Sequence, residues 1–179
     1  YIEMKISVVM TTYNGEKYVE EQLDSIRVQT RKADEVLIFD DQSSDKTVKI
    51  IQHYIDDNKL NNWKITVNAV NKGWRKNFFD GIQETSGDVI FLCDQDDIWV
   101  PDKIEKMVQV LEHNEKISVL ASDYSIKLEG EKRSNYQSAA SLVMLVEEVM
   151  VMCCSLPVPR SFAETFTMPF ASISKVTSI

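Results

Sequence analysis

Ser86–Ile104 reads SGDVIFLCDQDDIWVPDKI, and the order of residue types in it decides the fold. Asp88–Cys93 (DVIFLC) is a nearly unbroken apolar run, the pattern of a strand buried on both faces. It stops at Asp94-Gln95-Asp96-Asp97. Pro101 and Asp102 then open Lys103–Glu112, where Ile104, Met107, Val108 and Leu111 recur at helical spacing and make one apolar face. A buried strand, an acidic loop and an amphipathic helix in succession are the building pattern of an α/β sheet.

Outward from this stretch the same alternation repeats. Lys5–Met10 (KISVVM) and Glu35–Phe39 (EVLIF) are further apolar runs, and Lys64–Val67 and Ile117–Ala121 are weaker strand signals. Between them Lys17–Val28 carries Val19, Leu23 and Ile26 at helical spacing. A second helix runs through Val48, Ile51 and Ile55 with Ser44 as its expected N-cap, and Asn77–Glu84 reads as a short third. The expected fold is α/β, a mostly parallel central sheet flanked by helices. Ligands in such sheets gather beyond the carboxyl ends of the strands. Three polar clusters sit at those ends: Thr11–Asn14, Asp40–Asp45 and Asp94–Asp97.

Composition narrows the function. The chain has 179 residues, enough for one domain with a sizeable core, and 44% hydrophobic against 27% charged residues is ordinary for a globular protein. A net charge of −8 argues against nucleic acid, whose phosphates demand clustered Lys and Arg, and against broad adhesion to an anionic membrane. The 3 cysteines, Cys93, Cys153 and Cys154, contain no CxxC pair and fit neither a disulfide framework nor a zinc site. Cys93 lies in an apolar run and reads as a small buried hydrophobe. A reducing cytoplasm is the expected compartment, with no signal peptide at the start, and the inner face of the membrane is a peripheral alternative.

Beyond Gly130 the character changes: no glycine follows, and no aspartate after Asp123. Ala139–Leu156 is strongly apolar but interrupted by Glu147 and Glu148, so it reads as a buried or partner-facing helix rather than a membrane span, which needs about 20 apolar residues with few charges. This divides the chain into a domain over residues 1–130 and a partial or atypical segment over 131–179. The apolar tail is where a peripheral membrane or homo-oligomer contact is expected.

Side chains alternate along a strand, so Asp94 and Asp96 leave the strand exit on the same side. Two carboxylates so placed suit Mg²⁺ or Mn²⁺, which take oxygen ligands and share them with substrate phosphates. The alternative is a solvated acidic loop capping the next helix, and Asp102 reads as a helix-entry residue favoured by the dipole. Asp40 and Asp41 either accept hydrogen bonds from a ligand or cap the following helix. No GxGxxG follows the first strand and no GxxxxGK[ST] occurs, so neither a dinucleotide cradle nor a P-loop is present. A diphosphate bound without an amide cradle needs its charge neutralised by a metal.

Taken in order, VVMTTYNG, EVLIFDDQSSDKT, NKG and SGDVIFLCDQDDIWVPDKI resemble glycosyltransferase family two, over roughly residues 5–125. The resemblance implies a GT-A fold with a Rossmann-like nucleotide-binding half, so that residues 1–130 would be the donor domain and 131–179 an acceptor-side segment. It further implies a nucleoside-diphosphate sugar donor (UDP- or dTDP-sugar), a divalent metal, and transfer with inversion to an acceptor hydroxyl on a glycan or lipid-linked glycan. Thr11, Thr12, Tyr13 and Asn14 match the first nucleotide-contacting loop, and Asp41 the aspartate that reads the pyrimidine edge. Asp94 and Asp96 match the DXD motif, Asp94 beside the nucleotide and Asp96 as the direct metal ligand. Gln95, Asp97, Ile98 and Trp99 would shape the floor under the sugar, with Trp99 either a stacking ring or core packing.

Two features depart from the pattern. Phe78 falls where many members carry an arginine, which leaves Arg75 or Lys76 to supply positive charge. Together with DQDDIW this segment is similar to rhamnosyltransferase-like members of surface-polysaccharide synthesis. Inverting transfer also needs a general base. Glu147, Glu148 and Glu164 stand in no recognisable context, so the catalytic base is unassigned. The alternatives are a non-catalytic donor-binding fragment and, more remotely, a nucleotidyltransferase.

Overall fold

The computed structural model describes residues 4–114, 117, 119–122, 149–153 and 177–178, with the backbone alone for 119, 121, 149–153 and 177–178. Seven strands form one sheet: β1 (Ile6–Thr12), β2 (Glu35–Asp40), β3 (Trp63–Val67), β4 (Val89–Asp94), β5 (Val119–Ala121), β6 (Val149–Cys153) and β7 (Thr177–Ser178). Four helices connect the early strands: α1 (Val19–Arg27), α2 (Thr47–Asp57), α3 (Trp74–Gln83) and α4 (Lys103–Glu112). The spatial order is β3-β2-β1-β4-β6-β5-β7, and every described pairing is parallel. This follows from the sequence, because parallel strands need crossover connections and must be covered on both faces. Accordingly every residue of β1 is buried.

The chain builds outward from β1 to β3, then returns to place β4 on the other side of β1. That reversal makes a topological switch point between β1 and β4. The register puts Thr11 beside Asp94, and Thr12 beside Asp40. All three polar strand exits therefore converge on one edge of the sheet.

Helix α3 lies against β1 and β2. Gly81 allows this close approach: a Cβ there would sit 2.6 Å from Val9 Cγ1 and 2.9 Å from the Phe39 ring. Helix α4 buries Ile104, Met107, Val108 and Leu111, the face its periodicity predicts. Its first turn is held from a distance: the Ile104 N–H donates to Oε1 of the fully buried Gln29 at 3.0 Å, while Gln29 Nε2 donates to Val100 O at 2.7 Å. Asp102 makes no capping bond and pairs with Lys106 instead.

Three expectations need correction. Helix α2 starts at Thr47, and Ser44 does not cap it; the Asp45 carboxylate accepts the Thr47 N–H at 2.9 Å, while the Ser44 N–H donates to Asn14. Helix α3 begins at Trp74, three residues before the expected start, because Gly73 supplies the turn into it. Within the apolar stretch 139–156, residues 149–153 are strand β6 and not helix, seated between β4 and β5. A short continuous apolar run fits a buried strand as well as a buried helix, so periodicity could not separate them. The rest of that stretch, with Glu147, Glu148 and Glu164, lies outside the described residues. No helix among the described residues is long and apolar enough to cross a membrane.

Candidate active site at the sheet switch point

The loop leaving β1 is tied to the loop leaving β2 by side chains that satisfy backbone amides. Asp40 is fully buried and takes the Thr12 hydroxyl at 2.8 Å, the Ser43 N–H at 2.8 Å and the Ser43 hydroxyl at 2.6 Å. The Ser43 hydroxyl in turn accepts the Asn14 N–H, and Asn14 Oδ1 accepts the Ser44 N–H at 2.9 Å. Asn14 and Gln42 hold φ of 49° and 67°, a left-handed conformation uncommon for residues other than glycine. Such strain persists only where surrounding bonds enforce it, as they do here.

Asp41 is 3% exposed and organises the segment between β3 and α3. Its Oδ1 accepts from Asn68 Nδ2 at 2.9 Å and the Lys72 N–H at 2.8 Å; its Oδ2 accepts the Gly73 N–H at 2.8 Å. Asn68 also donates to Asn77 Oδ1, and Asn77 Nδ2 to Phe39 O, both at 2.8 Å. Gln42 binds the same segment through Ala69 O and the Asn71 N–H. Gly73 has φ 79° and ψ 150°, a region almost closed to other residues. The NKG motif is thus a loop that wraps one carboxylate, and glycine is required at its end. An ionised carboxylate offers about four acceptor sites, so the three bonds to this loop leave Asp41 one free.

The β4 exit is built differently. Asp94 is half-buried and its carboxyl is pushed up to about 7, first by burial and then by the negative charges of Asp97 and Asp96, against a hydrogen bond from the Thr11 hydroxyl. Asp96 is exposed. Among the described residues no group of three or more His, Cys, Asp and Glu side chains is arranged around a metal. Two carboxylates at a strand exit nevertheless fit Mg²⁺ or Mn²⁺, which typically keep most of their shell for waters and substrate oxygens. The crowding that raises Asp94 is what a cation would relieve.

Gln95 bonds the Tyr13 backbone. Its Oε1 accepts the Tyr13 N–H at 2.8 Å and its Nε2 donates to Tyr13 O at 3.1 Å. Trp99 is 4% exposed and packs on Phe91, 5.8 Å between ring centroids, as core. Phe78 is core as well. Lys76 is exposed on the first turn of α3 and pairs with Asp80, which Lys72 also reaches at 3.0 Å. Cys93 is a buried thiol.

The structure brings together Thr11, Thr12, Tyr13, Asn14, Asp41 and Asp94 along the strand exits, and sets Lys76 on the neighbouring helix. Sequence reading missed Ser43, Asn68, Asn77 and the amide bracket of Gln95. Asn77 carried a signal, since it stands on the apolar stripe of α3 with Phe78 and Gly81.

A parallel sheet with hydroxyls, amides and carboxylates converging at its switch point is an α/β fold of GT-A type. The sequence matches Glycosyl transferase family 2 over residues 7–165, and the chain belongs to that family. It is 26% identical over 168 residues to the Escherichia coli UDP-Glc:alpha-D-GlcNAc-diphosphoundecaprenol beta-1,3-glucosyltransferase WfgD, covering 92% of this chain and 64% of that protein. Among solved structures it is similar to Staphylococcus aureus TarS in complex with UDP (TM-score 0.60, 28% identity, 74% of this chain and 38% of that one). It is also similar to Mycobacterium tuberculosis glucosyl-3-phosphoglycerate synthase in complex with Mn²⁺, UDP and glucosyl-3-phosphoglycerate (TM-score 0.55, 25% identity, 68% and 44%). The chain spans 36% and 38% of the length of two further relatives, from Nostoc and Haemophilus influenzae.

Proposed function

We propose that this chain supplies the donor site of an inverting glycosyltransferase that uses a UDP- or dTDP-sugar and Mg²⁺ or Mn²⁺. The observation that carries this reading is the Thr11–Asp94 register: it sets a nucleotide-type loop against a charge-crowded acidic loop at the switch point. Family membership and the UDP complexes of TarS and the glucosyl-3-phosphoglycerate synthase support it. Residues 1–130 form the donor domain in this account.

Asp94 and Asp96 hold the metal, which when bound neutralises charge on the departing diphosphate. Thr11, Thr12, Tyr13 and Asn14 line the nucleotide. The remaining acceptor site on Asp41 takes the imide N–H of uracil or thymine, so Asp41 joins base reading to the shape of the 68–73 loop. Lys76 adds positive charge at the rim by releasing Asp80 to Lys72. The acceptor is a hydroxyl of a glycan or lipid-linked glycan in polysaccharide synthesis at the cytoplasmic side of the membrane, and WfgD, named for a diphosphoundecaprenol acceptor, supports that class.

A second reading, a donor-binding part that does not transfer sugar by itself, rests on the general base, which is unassigned. Labelled UDP- and dTDP-sugars offered with a panel of lipid-linked and simple glycosides separate the two. Metal-dependent transfer supports the first reading. Binding of donor without transfer supports the second, and no binding of either nucleotide sugar overturns both.

A further inference from the structure

We propose that Gln95 is a positioning residue that locks the Tyr13 backbone to the acidic loop, so that the nucleotide loop and the metal carboxylates move as one unit. This rests on the donor-site reading above. The amide bonds Tyr13 at both ends, accepting its N–H at 2.8 Å and donating to its C=O at 3.1 Å. A side-chain amide does both with separate atoms, whereas a carboxylate only accepts and an ammonium only donates.

The glycine at position 15 is the independent observation. Its φ is not in the left-handed region, so its backbone does not demand glycine. A Cβ there would meet Gln95 Oε1 at 2.2 Å and Gln95 Cδ at 2.6 Å. The space glycine leaves is filled by the Gln95 amide, and a side chain at 15 would evict it. Asp94 and Asp96 flank Gln95 in the chain, while Thr11, Thr12 and Asn14 surround Tyr13, so the bracket joins the two loops at their centres. Tyr13 is 50% exposed, and the Gln95 amide is what ties its backbone to the acidic loop. Holding both loops in the bound geometry lowers the ordering cost when metal and diphosphate arrive together.

The test uses Gln95→Ala, Gln95→Glu, Gly15→Ala and the Gln95→Ala/Gly15→Ala double variant, with the thermal midpoint recorded for each. Amide hydrogen exchange without ligand should show the Tyr13 N–H protected in the parent. It should exchange at least about tenfold faster in Gln95→Ala and Gly15→Ala, with Val8–Met10 unchanged. UDP titrations with and without Mn²⁺ should show the gain in affinity due to metal falling by about tenfold in both single variants and no further in the double, because both remove one interaction. Gln95→Glu, which keeps size and loses the donor, should fail to rescue.

Equal Tyr13 exchange in parent and Gln95→Ala overturns the proposal, as does an unchanged metal-dependent gain, or additive losses in the double variant. If the parent binds UDP equally with and without Mn²⁺, the metal reading of the site falls. The bracket is then judged on Tyr13 exchange and on UDP affinity alone, and loss of neither overturns it.

Discussion

The exits of β1 and β2 and the exit of β4 lie side by side, yet they solve opposite problems. At the first two, Asp40 and Asp41 are buried with each oxygen bonded to hydroxyl, amide or backbone donors, and Asp41 keeps one acceptor site over. Donors to the charged form make such carboxylates structural members of the loops. At the third, Asp94 is pushed up to about 7 by burial and by Asp97 and Asp96, so the protein alone does not balance its charge. One side of the site is finished by folding, and the other is left with charge for a ligand to compensate. The teaching is that adjacent acidic pairs in a sequence carry no single meaning; the number of donors aimed at them decides.

The largest effect should come from breaking the finished side. Asp41→Ala leaves the Asn68 amide and the Lys72 and Gly73 N–H groups without their acceptor, and should cost about 3 kcal/mol in chemical denaturation, the upper end for losing hydrogen bonds to a charged group. A loss under about 1 kcal/mol would show that water replaces the carboxylate. Gly73→Ala attacks the same loop through its backbone and should cost about 1–3 kcal/mol, because φ 79° with ψ 150° strains any side chain. Gly81→Ala belongs in the same range for a packing reason, since its Cβ would press on Val9 and Phe39.

The other side should respond with the opposite sign. Asp94→Asn removes a crowded charge, so the metal-free protein, assayed in a chelator, should melt higher by a margin worth about 1 kcal/mol. The same variant should lose the stabilisation that Mn²⁺ with UDP gives the parent. A lower midpoint in the chelator would break the contrast between the two regions. The smallest effect is expected away from both, where Tyr54 is pushed up to about 12, first by burial and then by its bond to Asp24. Its folded value lies above the unfolded one, so its contribution is intact below about pH 10 and lost as pH rises through the folded value. Ultraviolet titration of Tyr54→Phe against the parent should show one late-ionising tyrosine missing.

How far the sequence could be read follows the range of the interactions. Strands β1, β2 and β4 and helix α4 were legible because their apolar runs and stripes are local patterns. The strand exits were legible as acidic clusters, since the runs stop at them. The wrapping of Asp41 by residues 68–73 and the Gln95 bracket depend on partners 27 to 82 positions apart. No periodicity encodes such contacts. Strand β6 eludes periodicity for a different reason: Val149–Cys153 is short and uniformly apolar, so it shows none of the alternation that marks a half-buried strand.

The central claim is that the unbalanced carboxylates at the β4 exit bind a metal together with a nucleoside diphosphate. Calorimetric titration of UDP and dTDP, with and without Mn²⁺, on the parent and on Asp96→Ala tests it most directly. The account predicts that metal tightens binding to the parent by at least about tenfold and that Asp96→Ala abolishes this gain while leaving weak metal-free binding in place. Equal affinity in all four conditions would contradict it.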